Sequence, residues 1–412
     1  MAGYAQFEYV DEDGADHLLS DAFVRGAFDL WFPFIEIGKP CNVRASLERF
    51  VQGSETEEDH ELYYTFFHEY IHLIQSAMYF VCQLPITFTH SIIYDIRVTA
   101  ISRKDRGESR LRPLCFSKAT NDIDFFLRSE YATIKDYRKP FSVVNILEGS
   151  ARLLEERFRG RGVEIDHWRY SAIREISDAI LPSRRLSDRE LLDVCDVSLR
   201  RKNPAKAFVQ LLIAIDKFGM SWNNDVYESI TQLADKLGLE RVPSFANIVI
   251  ENSGRIFNSP LYAQYLRQVE SLYAKLPTFF GGGRVFSLIY EQLSSDTRNG
   301  LPICLLNWIS KCGSPVIICS DGRMEIFDTN IGLASTLDQN IIGIKSVVES
   351  IMKGDSSVCM MKGACISANM EGGCLPIDDY CSTHPWDKPP ERGMLCPYRA
   401  IWRAFGLEGL RP

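Results

Sequence analysis

The sequence predicts an α+β protein that is predominantly helical, and three observations support this fold class. Runs rich in aromatic and β-branched side chains are found mainly in the first 55 residues and in short pieces after residue 301. Helix caps and helical spacing of apolar residues dominate the region between them. The chain has 412 residues, 46% of them hydrophobic and 24% charged, so it can bury a core without help from metals or disulfides.

The individual elements follow from local patterns along the chain. In the clearest helix, Asn203 is a suitable N-cap, Pro204 occupies the first position and Gly219 ends the helix. The aromatic and β-branched runs near the N-terminus predict a small sheet there. Strands are predicted at residues 6–10, 28–38 and 42–52, and helices at residues 62–82, 142–199, 203–219, 260–276, 340–352 and 398–405.

Charge and hydropathy limit the classes of function. A net charge of −8 argues against electrostatic binding of nucleic acid. The longest apolar runs fall short of the roughly 18 residues that a membrane span requires. The first residues lack the basic and apolar segments of a signal peptide. We therefore expect a soluble, cytoplasmic protein without a membrane partner.

The twelve cysteines fall into two groups. Five lie in the last 54 residues, and such a cluster in a chain without a signal peptide favours metal binding over disulfides. The others lie in apolar or mixed surroundings, where buried free thiols are expected. These seven are Cys41, Cys82, Cys115, Cys195, Cys304, Cys312 and Cys319.

The helix predicted at residues 62–82 contains the pattern HExxH, formed by His68, Glu69 and His72. This helix is apolar almost all round, which predicts that it is buried. Its polar side chains fall on one stripe, and a buried row of imidazoles and a carboxylate is costly unless a metal ion satisfies it. The stripe consists of Thr65, His68, Glu69, His72, Gln75 and Ser76.

The spacing suits a catalytic zinc ion. Residues i and i+4 lie one above the other on a helix, so His68 and His72 can bind one Zn²⁺ from the same side. Glu69 then points at the water on the metal, whose pKa zinc lowers, and can act as general base. The alternative is a buried helix whose two histidines are hydrogen-bonded to core neighbours.

A third ligand is expected on the predicted helix that follows Ser142. Glu148 is the best candidate, and Gly149 beside it would let this helix approach another backbone closely, as a ligand-bearing helix packing on the HExxH helix would. Glu155 and Glu156 are alternative ligands if the register differs. No residue is singled out to stabilise an oxyanion, although His90, His167 and Tyr170 are available.

HExxH followed by Glu-Gly-x-Ala-x-x-x-Glu over residues 148–155 resembles the gluzincin branch of the zincin metallopeptidases. The resemblance covers roughly residues 60–160. It implies a zincin-like catalytic core in which His68, His72 and Glu148 bind zinc, Glu69 is the base and Glu155 supports a ligand. On this basis we divide the chain into a zincin-like catalytic region at 1–180, a mainly helical region at 181–352 and a cysteine-rich metal-binding tail at 353–412.

The tail is predicted to hold a second, structural metal site. The spacings are not those of a standard zinc finger, so the ion could be Zn²⁺ or a 4Fe–4S cluster. Cys396-Pro397 resembles the final ligand of several iron–sulfur proteins. Free thiols in a loop-rich tail are the alternative. The predicted ligands are Cys365, Cys374, Cys381 and Cys396, with Cys359 or His384 as substitutes.

The leading functional hypothesis is a zinc-dependent peptidase acting on a protein or peptide, and a dedicated protein substrate is expected. A second hypothesis is a di-iron carboxylate oxidase, in which Glu69 and His72 pair with Glu164 and His167, and Glu148 bridges. A third is a non-catalytic regulator or binding protein with a structural metal site. The sequence does not predict the oligomeric state.

Overall fold

The computed structural model of the protein confirms the α+β, predominantly helical fold class. Helices make up most of the regular structure, and one small sheet accompanies them. The structure describes residues 26–29, 32–111, 141–160, 168–219, 225–242, 269, 271, 273–281, 283–295, 303–320, 323–326, 334–353, 358–370, 375, 377–389 and 396–412.

Four strands and thirteen helices have defined bounds within the described ranges. The strands are β1 Gly26–Phe28, β2 Phe34–Ile37, β3 Val316–Cys319 and β4 Met324–Ile326. The helices are α1 Val43–Gln52, α2 Glu57–Met78, α3 Phe80–Asp105, α4 Val143–Arg159, α5 Trp168–Ile180, α6 Asp188–Leu199, α7 Pro204–Phe218, α8 Val226–Lys236, α9 Val285–Ser295, α10 Ile303–Cys312, α11 Ala334–Lys353, α12 Lys362–Met370 and α13 Pro397–Ala404. Two 3-10 helices lie at Asp379–Ser382 and Pro385–Asp387.

The sheet has the strand order β1-β2-β3-β4. β1 is antiparallel to β2, β2 is parallel to β3, and β3 is antiparallel to β4. The prediction of an N-terminal sheet was therefore only half right, because two of the four strands come from residues 316–326. The parallel pairing of β2 with β3 joins residues 282 positions apart, such as Phe34 and Val316, and local pattern carries no information about such a partner.

The strand predicted at residues 42–52 is wrong, since this segment forms helix α1. The Asn42 side chain accepts a hydrogen bond from the Ala45 backbone N–H at 2.8 Å and so caps the helix. Gly53 ends it in a left-handed conformation with φ of 65°. These caps outweigh the aromatic and β-branched content on which the prediction relied. The strand predicted at residues 6–10 lies outside the described residues.

Helix α2 contains the HExxH pattern and begins five residues earlier than predicted. Thr56 and Asp59 form a reciprocal capping box at its start, because the Asp59 backbone donates to the Thr56 hydroxyl and the Thr56 backbone donates to the Asp59 carboxylate. The chain bends by 81° between α2 and α3. In the described ranges no single helix passes a length-and-hydropathy test for a membrane span, although these two bent helices pass it when joined.

Helix α4 packs between α2 and α5. The tight contact at Gly149 is with α5 and not, as expected, with the HExxH helix. A Cβ added at Gly149 would lie 2.7 Å from Cγ1 of Ile173, which is closer than carbon atoms approach. Glycine at this position therefore sets the distance between α4 and α5.

Cys41 and Cys319 form a disulfide, so the expectation that both are free thiols is wrong. Cys41 follows β2 and Cys319 ends β3, and the parallel pairing of these strands brings the two residues together. The bond spans 278 residues of chain. Helix α13 packs on α11 and so attaches the C-terminal segment to the rest of the chain.

Candidate metal centre

Helices α2 and α4 bring the predicted zinc ligands together. The Nε2 atoms of His68 and His72 are 3.2 Å apart, and Oε2 of Glu148 lies 3.3 Å from the first and 3.4 Å from the second. In the part of the chain that the structure describes, these three residues are the group whose ligand atoms all lie within 4.8 Å of one another. His68 and Glu148 are buried, with 8% and 5% of their surface exposed, while His72 is half-buried.

The remaining nitrogen of each imidazole is hydrogen-bonded to the protein. Nδ1 of His68 lies 3.1 Å from Oε2 of Glu155, and Nδ1 of His72 lies 2.7 Å from Oε1 of Gln75. The Gln75 amide in turn donates to the Leu147 carbonyl at 3.0 Å. Such contacts fix the tautomer and ring orientation of a metal-binding histidine and leave both Nε2 atoms facing Glu148.

Arginines neutralise the carboxylates around this site. Arg152 and Arg159 donate to the two oxygens of Glu155 at 2.9 and 2.8 Å. Arg169, at the start of α5, contacts Oε1 of Glu148, so that Oε2 faces the histidines. Both buried carboxylates are therefore paired with positive charge.

The pKa shifts reflect this pairing in the metal-free protein. Burial alone would lower the pKa of His68, but hydrogen bonds with Glu148 and Glu155 raise it to about 10. Burial opposes ionisation of Glu155, yet its contact with His68 lowers its pKa to about 2. Burial likewise opposes ionisation of Glu148, but the charges of Arg169 and His72 hold its pKa well below its ordinary value.

Glu69 lies beside the cluster but is not part of it. Its pKa is raised by burial, against the lowering effect of the two histidines. Strand β1 packs over this residue, because a Cβ added at Gly26 would lie 2.6 Å from the Thr65 side chain and 3.2 Å from Cγ of Glu69. The edge strand of the sheet is thus close to the one carboxylate of the HExxH pattern.

The alternative ligands predicted from sequence occupy other positions. Glu155 contacts the outer nitrogen of His68, and Glu156 pairs with Arg174 at 3.1 Å. Glu164 and His167, the second ExxH pair of the di-iron hypothesis, lie outside the described residues.

Sequence reasoning missed Arg169 and left Tyr170 unassigned among several candidates. The Tyr170 ring is 6.1 Å from the His68 ring, and burial raises the pKa of its hydroxyl, which keeps the proton on it. Both residues reach the site because α5 packs on α4, a contact without a local sequence signal. His90 lies on α3 and is buried.

Four cysteines of the C-terminal segment are close together in the structure: Cys359, Cys365, Cys381 and Cys396. Cys374, one of the predicted ligands, lies outside the described residues. Cys359, predicted only as a substitute, is a member of the described cluster, whereas the exposed ring of His384 contacts Trp386.

The first cluster offers two imidazoles and a carboxylate, the ligand set of many catalytic zinc sites. The convergence of the three ligand atoms and the hydrogen bonds to both outer nitrogens fit such an ion. Comparisons of the chain with protein-family models, with curated proteins and with solved structures found no match.

Proposed function

We propose that the protein is a zinc-dependent peptidase whose metal is held by His68, His72 and Glu148. The observation that supports this most strongly is the approach of their ligand atoms to within 4.8 Å, with Glu69 next to the first ligand. Two of these residues share a helix, while Glu148 comes from another helix 76 residues later, so chance neighbours along one helix do not account for the group.

The protein's own residues have distinct roles in this proposal. Glu155 and Gln75 orient the two imidazoles. When bound, zinc would supply Lewis acidity and lower the pKa of a water molecule. Glu69 would accept the proton of the attacking water and pass it to the leaving amine.

Hydrolysis of a peptide bond also places negative charge on the former carbonyl oxygen. The half-buried Tyr170 keeps its hydroxyl proton and its ring lies 6.1 Å from that of His68, so we assign it the role of donating a hydrogen bond to that oxygen. Arg169 keeps Glu148 ionised and correctly oriented.

The other two hypotheses receive less support. A di-iron site built from ExxH pairs gives His68 no role, yet His68 is 3.2 Å from His72 and 3.3 Å from Glu148. A purely regulatory protein has no use for a buried carboxylate beside a metal site, since an unpaired buried charge costs stability. We therefore retain a peptidase acting on a protein or peptide, with one dedicated protein as the expected substrate.

The test is the substitution Glu69→Gln, which keeps the shape of the side chain but removes the base. We expect zinc content to stay at one ion per catalytic site, and cleavage of a quenched-fluorescence peptide library to fall by about 100-fold or more. Glu156→Gln is the matched control, because Glu156 lies on α4 and its ion pairs are with Arg174 at 3.1 Å and with Arg152 at 3.5 Å.

Retained cleavage in Glu69→Gln would remove Glu69 as the base. Absence of zinc from the wild-type protein, together with unchanged metal content in His68→Ala, would overturn the proposed metal site itself.

A further inference from the structure

Four buried or half-buried thiols meet in the C-terminal segment, far along the chain from the histidine site. Cys359 precedes α12, Cys365 lies in its first turn, Cys381 lies in the 3-10 helix Asp379–Ser382, and Cys396 is the N-cap of α13. A backbone hydrogen bond of 2.9 Å from Cys359 to Cys381 joins two of these segments. Helix α12, a 3-10 helix and α13 thus contribute one cysteine each, and the turn before α12 contributes the fourth.

All six pairs among the four cysteines interact electrostatically. The other three cysteines raise the pKa of Cys359. Cys381 and Cys396 raise the pKa of Cys365, and Cys381 raises that of Cys396. None of the four forms a disulfide. Buried or half-buried cysteines that converge from several segments without pairing have the arrangement of a thiolate metal site.

Burial raises the pKa of these thiols, and two nearby features offset part of the cost of negative charge there. Lys388 is 1% exposed, and its ammonium group donates to Sγ of Cys381 at 3.6 Å and pairs with Asp378 at 3.1 Å. Cys396 begins α13, and the backbone N–H groups of Tyr398 and Arg399 donate to its sulfur. A helix N-terminus and a nearby lysine both stabilise a thiolate.

A single zinc ion and a four-iron cluster require different distances between the sulfurs of their ligands. Around a single zinc ion, with Zn–S bonds of about 2.3 Å, four thiolates lie about 3.8 Å apart. Among the described residues no three of these cysteines meet the 4.8 Å limit that the histidine site satisfies. A four-iron cluster places each thiolate on a different iron and therefore accepts sulfurs that lie further apart.

We infer that Cys359, Cys365, Cys381 and Cys396 bind a 4Fe–4S cluster. Backbone N–H groups that donate to the sulfurs of Cys359 and Cys396 would stabilise such a cluster. The charge of Lys388 offsets part of the negative charge of four thiolates. The cluster ties α12 and α13 together, and α13 packs on α11, so its role is to hold the C-terminal segment on the helical body.

The first experiment measures iron, zinc and acid-labile sulfide in full-length protein purified without oxygen. It uses the His68→Ala variant, so that metal at the histidine site does not contribute and the outcome is independent of the proposed peptidase. We expect about four irons and four sulfides per chain, with a brown colour that dithionite bleaches. One zinc ion and no iron, or no metal at all, would overturn the inference.

The second experiment tests the ligand set. Cys359→Ser should abolish most of the iron and sulfide, whereas Cys374→Ser and the control Cys312→Ser should retain them. Loss of the cluster in Cys374→Ser, with retention in Cys359→Ser, would show that the assigned set is wrong. Circular dichroism of each variant distinguishes the loss of a ligand from unfolding. The metal content of the parent protein tests the inference even if a variant does not fold.

Discussion

The histidine site and the cysteine cluster differ in what holds their ligands in place. At the histidine site three ligand atoms lie within 4.8 Å, and carboxylates, an amide and arginines fix every ligand. In the cysteine cluster the sulfurs are more widely spaced, and burial raises the pKa of Cys359 to about 12 and of Cys365 to about 11. Without metal these two thiols stay protonated at neutral pH.

The difference indicates two ways in which the two proposed metal sites would be built. The first is organised by charges that the protein supplies, so its geometry should persist when the ion is removed. The second gains its charge and its rigidity from the metal, because deprotonated thiolates are stable there only when a cation binds them. Changes near α4 should therefore affect zinc and leave iron unaltered.

The largest effect is expected from Glu155→Gln. This substitution removes the charge that orients His68 and pairs with Arg152 and Arg159. Loss of such a supporting carboxylate lowers metal affinity by roughly 10- to 100-fold. Competition with a chromophoric chelator measures the zinc affinity, and iron content reports on the cysteine cluster.

The control for this prediction is Glu156→Gln, one residue further along α4, which should leave zinc affinity within about twofold of wild type. Equal zinc affinity in the Glu155 and Glu156 variants would show that the hydrogen bond to Nδ1 of His68 does not organise the site.

A smaller effect is expected from Gly149→Ala, next to the ligand Glu148. The new Cβ would lie 2.7 Å from Ile173, and such overpacking costs about 1–3 kcal/mol. The better helix propensity of alanine offsets about 1 kcal/mol. We expect a net loss of about 1 kcal/mol in the free energy of unfolding, measured by urea denaturation, and weaker zinc binding.

The same substitution in an Ile173→Ala background provides the control. With the obstructing side chain shortened, Gly149→Ala should become neutral or stabilising. An undiminished cost in that background would mean that α4 and α5 are not held apart by this contact.

The last prediction concerns the pH dependence of the metal-free protein. The pKa of His68 is raised to about 10, so its stabilising contribution is complete below its ordinary value of about 6.5 and is lost as the pH rises through 10. The pKa of Glu155 is lowered to about 2, so its contribution is present above about 4.3 and is lost as the pH falls through 2.

Thermal denaturation between pH 6 and pH 10 tests this dependence. Chelated protein should lose stability as the pH rises, whereas zinc-loaded protein should lose less, because bound zinc requires neutral His68 over the whole range. If the stability of both forms changed with pH in the same way, the conclusion that charged side chains organise the histidine site would be wrong.

Local spacing explains which features the sequence could predict. Helix geometry alone places both histidines and Glu69 of the HExxH pattern. The caps Asn203 and Gly219 could also be predicted, because a cap depends on residues close to it in the chain. Helix α1 was mistaken for a strand because composition was weighted above the Asn42 and Gly53 caps.

Contacts between distant segments could not be predicted from local sequence patterns. Arg169 meets Glu148 only because α5 docks on α4, and the β2–β3 pairing determines the partner of Cys41. Cys359 was ranked below Cys374 because its backbone contact with Cys381 joins two loops that no periodic pattern connects.

The Cys41–Cys319 disulfide makes the intervening chain a closed covalent ring. Both histidines, Glu69 and Glu148 lie inside this ring. A single cut by any protease between the two cysteines would leave the polypeptide in one piece, and two fragments would separate only after reduction. Gel electrophoresis without reductant would therefore show a nicked chain at full mass, so a cut within the ring is visible only when reductant is added.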